Sequence, residues 1–150
     1  MDEVAELARA FDESPYARLL GMRIVELAPG RAQVMLEVRP DHRNAAGLVH
    51  GGLIMSLADH AFGAATNSLG RPYVAVQFGV NLLAAPAVGA RIYAVAEVHR
   101  AGRRAGSAEV AVRDADGRLL AKALGTVVAV GDGPGTSQKH ESRGSDRPHP

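Results

Sequence analysis

Val4, Leu7, Ala8 and Phe11 recur at intervals of three and four, which predicts a short amphipathic helix near the N-terminus. Pro15 ends that helix or opens another turn. Met22 to Leu27 is apolar and partly β-branched, and Pro29-Gly30 supplies turn chemistry. From Arg31 the chain alternates. Ala32, Val34, Leu36 and Val38 stand against Arg31, Gln33, Met35 and Glu37, the period of a strand with one buried face. Together the two segments predict a hairpin. Asp41 to Leu48 is polar and glycine-containing, hence a loop. Leu53 to Asn67 then runs fifteen residues, rich in Leu, Ala and Met and free of Pro. Its length selects a helix over a strand. Its apolar residues are not confined to one stripe, so the helix is expected to be enclosed by protein.

Strand-like segments follow in series: Tyr73 to Leu83, Arg91 to Val98, Ser107 to Arg113 and Leu119 to Val130. Asp116-Gly117 is a hairpin signal between the last two. The short connections predict antiparallel pairing between consecutive strands. One long helix against an antiparallel sheet is an α+β arrangement.

Composition narrows the function more than the fold. The 150 residues suit one domain, and 47% are apolar, enough for a core. Net charge is +1 and aromatics are 4%, which leaves neither a basic field nor a stacking platform for nucleic acid. No apolar run approaches the roughly 20 residues of a membrane span. The start, MDEVAELARA, lacks the basic and apolar regions of a signal peptide. Cys is absent, which removes disulfides, thiolate metal sites and a Cys nucleophile. These features lead to the expectation of a cytoplasmic protein. Gly131 to Pro150 carries no aliphatic or large aromatic side chain and reads as a mobile tail, leaving residues 1–130 as the folded domain.

The chemistry concentrates in His50-Gly51-Gly52-Leu53-Ile54-Met55-Ser56-Leu57-Ala58-Asp59. A helix starting at Gly51 or Gly52 leaves its first N–H groups unpaired, at the positive end of the dipole. Glycines let a ligand approach that backbone, so the helix start could serve as an oxyanion hole or be no more than a tight turn. Asp59 has Leu57, Ala58, Ala61 and Phe62 around it in sequence, which predicts burial. A buried Asp is either paired structurally or kept reactive as a base or nucleophile. Gly51 and Asp59 are eight residues apart, roughly 12 Å along a helix axis. A base must come within about 3 Å of what it activates, so if both residues are catalytic they meet across a dimer interface. His42, His50, His60, His99, His140 and His149 form no metal-binding spacing, and no phosphate loop or GxSxG elbow is present. His60 is expected in a structural role, and Ser56 packed or bonded to a backbone carbonyl.

At these residues the chain resembles a known family. Asn44-x5-His50-Gly51-Gly52-x6-Asp59, followed by Ala61-Phe62 and Asn67-Ser68, is similar to the hotdog-fold acyl-CoA thioesterases, above all their phenylacetate-degradation (PaaI-like) branch. The resemblance implies a sheet wrapped around the helix and hydrolysis of an acyl-CoA thioester, with aryl or arylacetyl groups such as phenylacetyl or hydroxyphenylacetyl. It implies that the Gly51 amide polarises the carbonyl and that Asp59 is base or nucleophile. His50 and Asn44 would shape the loop, with Gly52 beside them. It implies no cofactor and no metal, and a homodimer with shared sites that often pairs into a homotetramer. Coenzyme A phosphates would meet Arg103 and Arg104 in the basic turn His99 to Gly106. The chain departs from the pattern in Val80 to Pro86, which lacks the usual aromatic and basic residues, and in Tyr73 to Phe78, which has no side-chain hydroxyl beyond Tyr73 and where Gln77 is either a substitute for one or an ordinary sheet-edge residue. A non-catalytic acyl-CoA-binding module and a hotdog hydratase are the alternative readings.

Overall fold

The computed structural model describes residues 2–131; most of the expected tail, from residue 132 onward, lies outside the described residues. Helix α1 spans Glu3–Glu13 and is capped by Asp2, whose side chain accepts the Val4 N–H at 3.1 Å. A six-residue helix, α2 (Pro15–Leu20), begins on the proline and ends on Gly21, whose φ of 78° is the left-handed conformation of a helix terminus. Strands β1 (Arg23–Ala28) and β2 (Arg31–Glu37) form the expected antiparallel hairpin. The long helix, α3, spans Gly51–Asn67. Strands β3 (Tyr73–Leu82), β4 (Arg91–Ala101), β5 (Ala105–Asp114) and β6 (Leu119–Ala129) complete the chain. The class is α+β: six antiparallel strands with α3 lying across them.

Strand order is β1-β2-β4-β5-β6-β3. The expectation that β3 and β4 pair is therefore wrong. β3 pairs with β6, and β4 takes its place beside β2. The linker between them, residues 83–90, extends to roughly 26 Å, enough to cross the roughly 14 Å of three strand spacings. A short connection thus permits antiparallel pairing without requiring it. β3 is left at the sheet edge with one side unpaired.

The core lies between α3 and the inward side chains of the central strands. Val34 and Leu36 of β2, Ile92 of β4, Val110 and Val112 of β5 and Leu120 of β6 are fully buried, with Ala94, Ala96 and Ala108 between them. Small side chains at the centre let the helix lie close to the strands. Phe62 takes this furthest: a Cβ at Gly125 would stand 2.7 Å from its ring, so the ring packs on bare β6 backbone and against Phe78, 5.1 Å away.

α3 is not enclosed as its composition implied. Leu53, Ile54, Leu57, Ala58, Ala61, Phe62 and Ala65 face the sheet, whereas Met55 and Asp59 are exposed. Phe11 of α1 covers only the later turns, over His60 and Gly63. The two ends of α3 are tied to opposite ends of β3. Leu82 lies against Gly51, and the Asn67 side chain accepts the Tyr73 N–H at 3.0 Å while donating to the Tyr73 carbonyl at 3.3 Å.

Candidate active site

The loop before α3 is organised by one side chain. Asn44 Oδ1 accepts the N–H groups of Ala46 at 2.9 Å and Leu48 at 3.1 Å, and the Asn44 N–H donates to the Leu48 carbonyl at 2.7 Å. Asn is suited to such self-bonding turns. Gly47, with φ of 78°, closes the loop, and the His50 N–H donates to the His42 carbonyl at 2.8 Å. His50 then caps α3. Its Nδ1 accepts the Gly52 N–H at 2.9 Å, which leaves the ring proton on Nε2 in the neutral form.

That arrangement accounts for two of the first three helix donors. Gly52 is taken by the His50 ring, and Leu53 by the His50 carbonyl at 3.0 Å. Among the described residues the Gly51 N–H has no protein acceptor. It stands at the positive end of a seventeen-residue helix, a preorganised donor for an oxygen that gains negative charge.

Gly51, Met55 and Asp59 follow one another at intervals of four, on one stripe of the helix. Leu82 touches Gly51, so the stripe runs along the side of α3 nearest the open β3 edge. The predicted burial of Asp59 among its sequence neighbours is corrected here. At about 100° per residue, Leu57, Ala58, Ala61 and Phe62 turn toward the sheet and Asp59 turns away. The carboxyl is exposed by surface area, yet the protein around it still removes enough solvent to raise its pKa above its ordinary value.

Other candidates separate. Gln77 is exposed beside a bulge in β3. Its neighbour Phe78 points inward at Phe62, so Gln77 faces the outer side of the sheet, in a depression with Lys122 and Leu124. The strand thus puts Gln77 and Asp59 on opposite sides within one chain. Ser56 bonds not to a backbone carbonyl but to the Tyr16 hydroxyl, at 2.6 Å, and with His50 and Gly52 the pair lines a cleft of about 410 Å³. His60 packs edge-on against Phe11, its Nε2 buried without a partner, and burial lowers its pKa. His42 is likewise buried, with Nδ1 accepting the Arg39 N–H at 3.0 Å and its pKa lowered by burial. Among the described residues no three His, Asp or Glu side chains are grouped to share a metal ion.

The basic turn forms a cleft of about 510 Å³ that includes Arg100, Arg103 and Arg104. Arg71 joins it, donating to the Arg103 carbonyl at 2.8 Å, and the Tyr73 hydroxyl donates to the Gly102 carbonyl at 2.8 Å. No ion pair with a carboxylate engages these four arginines among the described residues. Arg71 and Arg100 were not singled out in sequence: Arg71 lies thirty-two positions from its partner. The cleft is at the Tyr73 end of β3, beyond the far end of α3 from Gly51. No helix is long and apolar enough to cross a membrane among the described residues.

Comparison with known proteins agrees with this geometry. Residues 46–121 match the model of the thioesterase superfamily. The acyl-coenzyme A thioesterase PaaI of Escherichia coli is 30% identical over 102 residues, covering 68% of this chain and 73% of that protein. The structure of E. coli PaaI, from the phenylacetic acid degradation operon, superimposes with a TM-score of 0.82 at 27% identity over 87% of this chain and 95% of that one. The TT0310 protein of Thermus thermophilus is 38% identical, with a TM-score of 0.75 over 79% of this chain and 99% of its own. The smu.793 protein of Streptococcus mutans, solved bound to acetyl CoA, is 27% identical with a TM-score of 0.70 over 73% of this chain and 89% of its own. The chain belongs to the thioesterase superfamily, in its PaaI-like hotdog branch, and is a thioester hydrolase.

Proposed function

We propose that the protein hydrolyses acyl-CoA thioesters, preferentially aryl or arylacetyl ones, to the free acid and coenzyme A in the cytoplasm. The observation that carries the reading is the unpaired Gly51 N–H on the same stripe as Asp59, beside an open strand edge. The Gly51 amide holds the carbonyl oxygen as it becomes an oxyanion, and the His50 cap and the Asn44 loop keep that amide free. Asp59 activates the attacking water or attacks directly. Its raised pKa makes it the stronger proton acceptor.

The two groups act from different subunits of a homodimer. Roughly 12 Å of helix separates them within one chain. β3 offers an unpaired edge ten residues long with Val74, Val76 and Leu82 exposed. Such an edge is a template for a second strand. Two copies related by a twofold axis pair there antiparallel. The Leu82 end of one strand, with its Gly51, then lies toward the Tyr73 end of the other. That brings in the partner copy's Asp59 and, beyond it, its arginine cleft. Arg103 and Arg104, with Arg71 and Arg100, hold the coenzyme A phosphates there, in the subunit that also supplies the base. Gly52 borders the thioester, and Gln77, on the outer face of the sheet, reaches the substrate only from a neighbouring copy. Two dimers associate as a tetramer; Leu124, 56% exposed on the outer sheet face, offers a second apolar contact.

Release of free thiol from phenylacetyl-, hydroxyphenylacetyl-, benzoyl- and straight-chain acyl-CoA tests the reading, and the absence of Cys keeps the background low. The wild type turns over the arylacetyl esters. Arg103→Ala with Arg104→Ala raises KM about tenfold while kcat is kept, the signature of lost uniform binding. A wild type that binds these esters without turnover supports the binding-module reading instead.

A further inference from the structure

The space beside Gly51 is occupied. A Cβ built there would stand 2.6 Å from Leu82 Cδ1 and 4.0 Å from Leu82 Cγ. In a helix the Cα–Cβ bond tilts toward the N-terminus, the direction in which the unpaired first-turn N–H groups also point. A leucine methyl group therefore sits next to the free donor. The core does not absorb this side chain: Leu82 is 48% exposed, at the last position of the edge strand. A carbonyl oxygen accepting from Gly51 stands about 2.9 Å from its nitrogen. An acyl group on that carbonyl that runs toward the Leu82 side of the donor meets the methyl in van der Waals contact.

We infer that Leu82 selects the acyl group by the bulk on the atom bonded to the thioester carbonyl. Groups that begin with a methylene, arylacetyl or straight-chain, pass the leucine. Groups that are branched there, or carry an aryl ring directly on the carbonyl, collide with it. The residue is a specificity determinant for the hydrolysis proposed above, and the inference rests on that reading. It divides the arylacetyl from the aroyl esters, which family resemblance leaves together.

The test is the ratio of kcat/KM for benzoyl-CoA to that for phenylacetyl-CoA in wild type, Leu82→Ala and Leu82→Phe. Solution mass is recorded for each variant. Leu82→Ala raises the ratio about tenfold and Leu82→Phe lowers it, on the scale at which apolar pockets discriminate. A change of solution mass in one variant leaves the other to decide. An unchanged ratio in a wild-type-like assembly, or an equal change for both esters, overturns the assignment of Leu82 to the acyl side. A wild type inactive on both esters removes the aryl and arylacetyl preference proposed above and this inference with it. An active wild type with an unmoved ratio removes Leu82 alone.

Discussion

Asp59→Asn lowers kcat about a thousandfold, the scale of lost general-base catalysis, with KM little changed. The substitution is nearly isosteric, so the loss reports on the charge and not on packing. Two accompanying results separate catalysis from structural support. Wild-type kcat/KM falls as pH is lowered through the raised pKa of the carboxyl, because only the ionised form accepts a proton. Stability moves the other way. Desolvation raises the folded-state pKa above the ordinary 3.8, so the folded state favours the protonated carboxyl. The resulting cost is absent well below 3.8, grows as pH rises toward the raised value, and is fully present above it. Asp59→Asn removes that cost, so at pH 7 the inactive variant melts no lower than wild type. A structurally paired Asp would give a lower melting temperature.

Gly51→Val lowers kcat about 10²–10³-fold, the usual consequence of losing one oxyanion donor. A backbone amide cannot be deleted by substitution, but it can be obstructed. The new Cβ meets only the far end of the Leu82 side chain and no backbone, so the fold survives. The valine methyl groups then fill the approach to the N–H. Steady-state kinetics beside a melting curve check this: retained kcat in a folded Gly51→Val removes the amide from the mechanism.

The elements were largely legible because their patterns are one-dimensional. β2 alternates without a break, and α3 is too long and too free of proline to be anything else. Asn44, His50 and Gly51 were legible as a motif, and the structure gives two of them visible work: the loop bonds of Asn44 and the cap of His50. What was not legible depends on direction or distance. Asp59 was expected among its apolar sequence neighbours, but neighbours in a helix point about 100° apart. The partner of β3 is β6 because residues 83–90 can span the intervening strands, which a short connection does not reveal. Tyr16 meets Ser56 across forty positions of sequence. Gln77 was placed by analogy, and the side of the strand it occupies follows from the inward turn of Phe78.

The central claim is that one subunit's Gly51 and another's Asp59 form each site. It is tested most directly by mixing two inactive chains, Gly51→Val and Asp59→Asn, under conditions that exchange subunits. Random exchange makes about half of the dimers mixed, and each mixed dimer holds one site with both groups intact, so activity returns to about a quarter of wild type. Mixed dimers confirmed by mass, with activity no higher than that of either parent, would contradict the account.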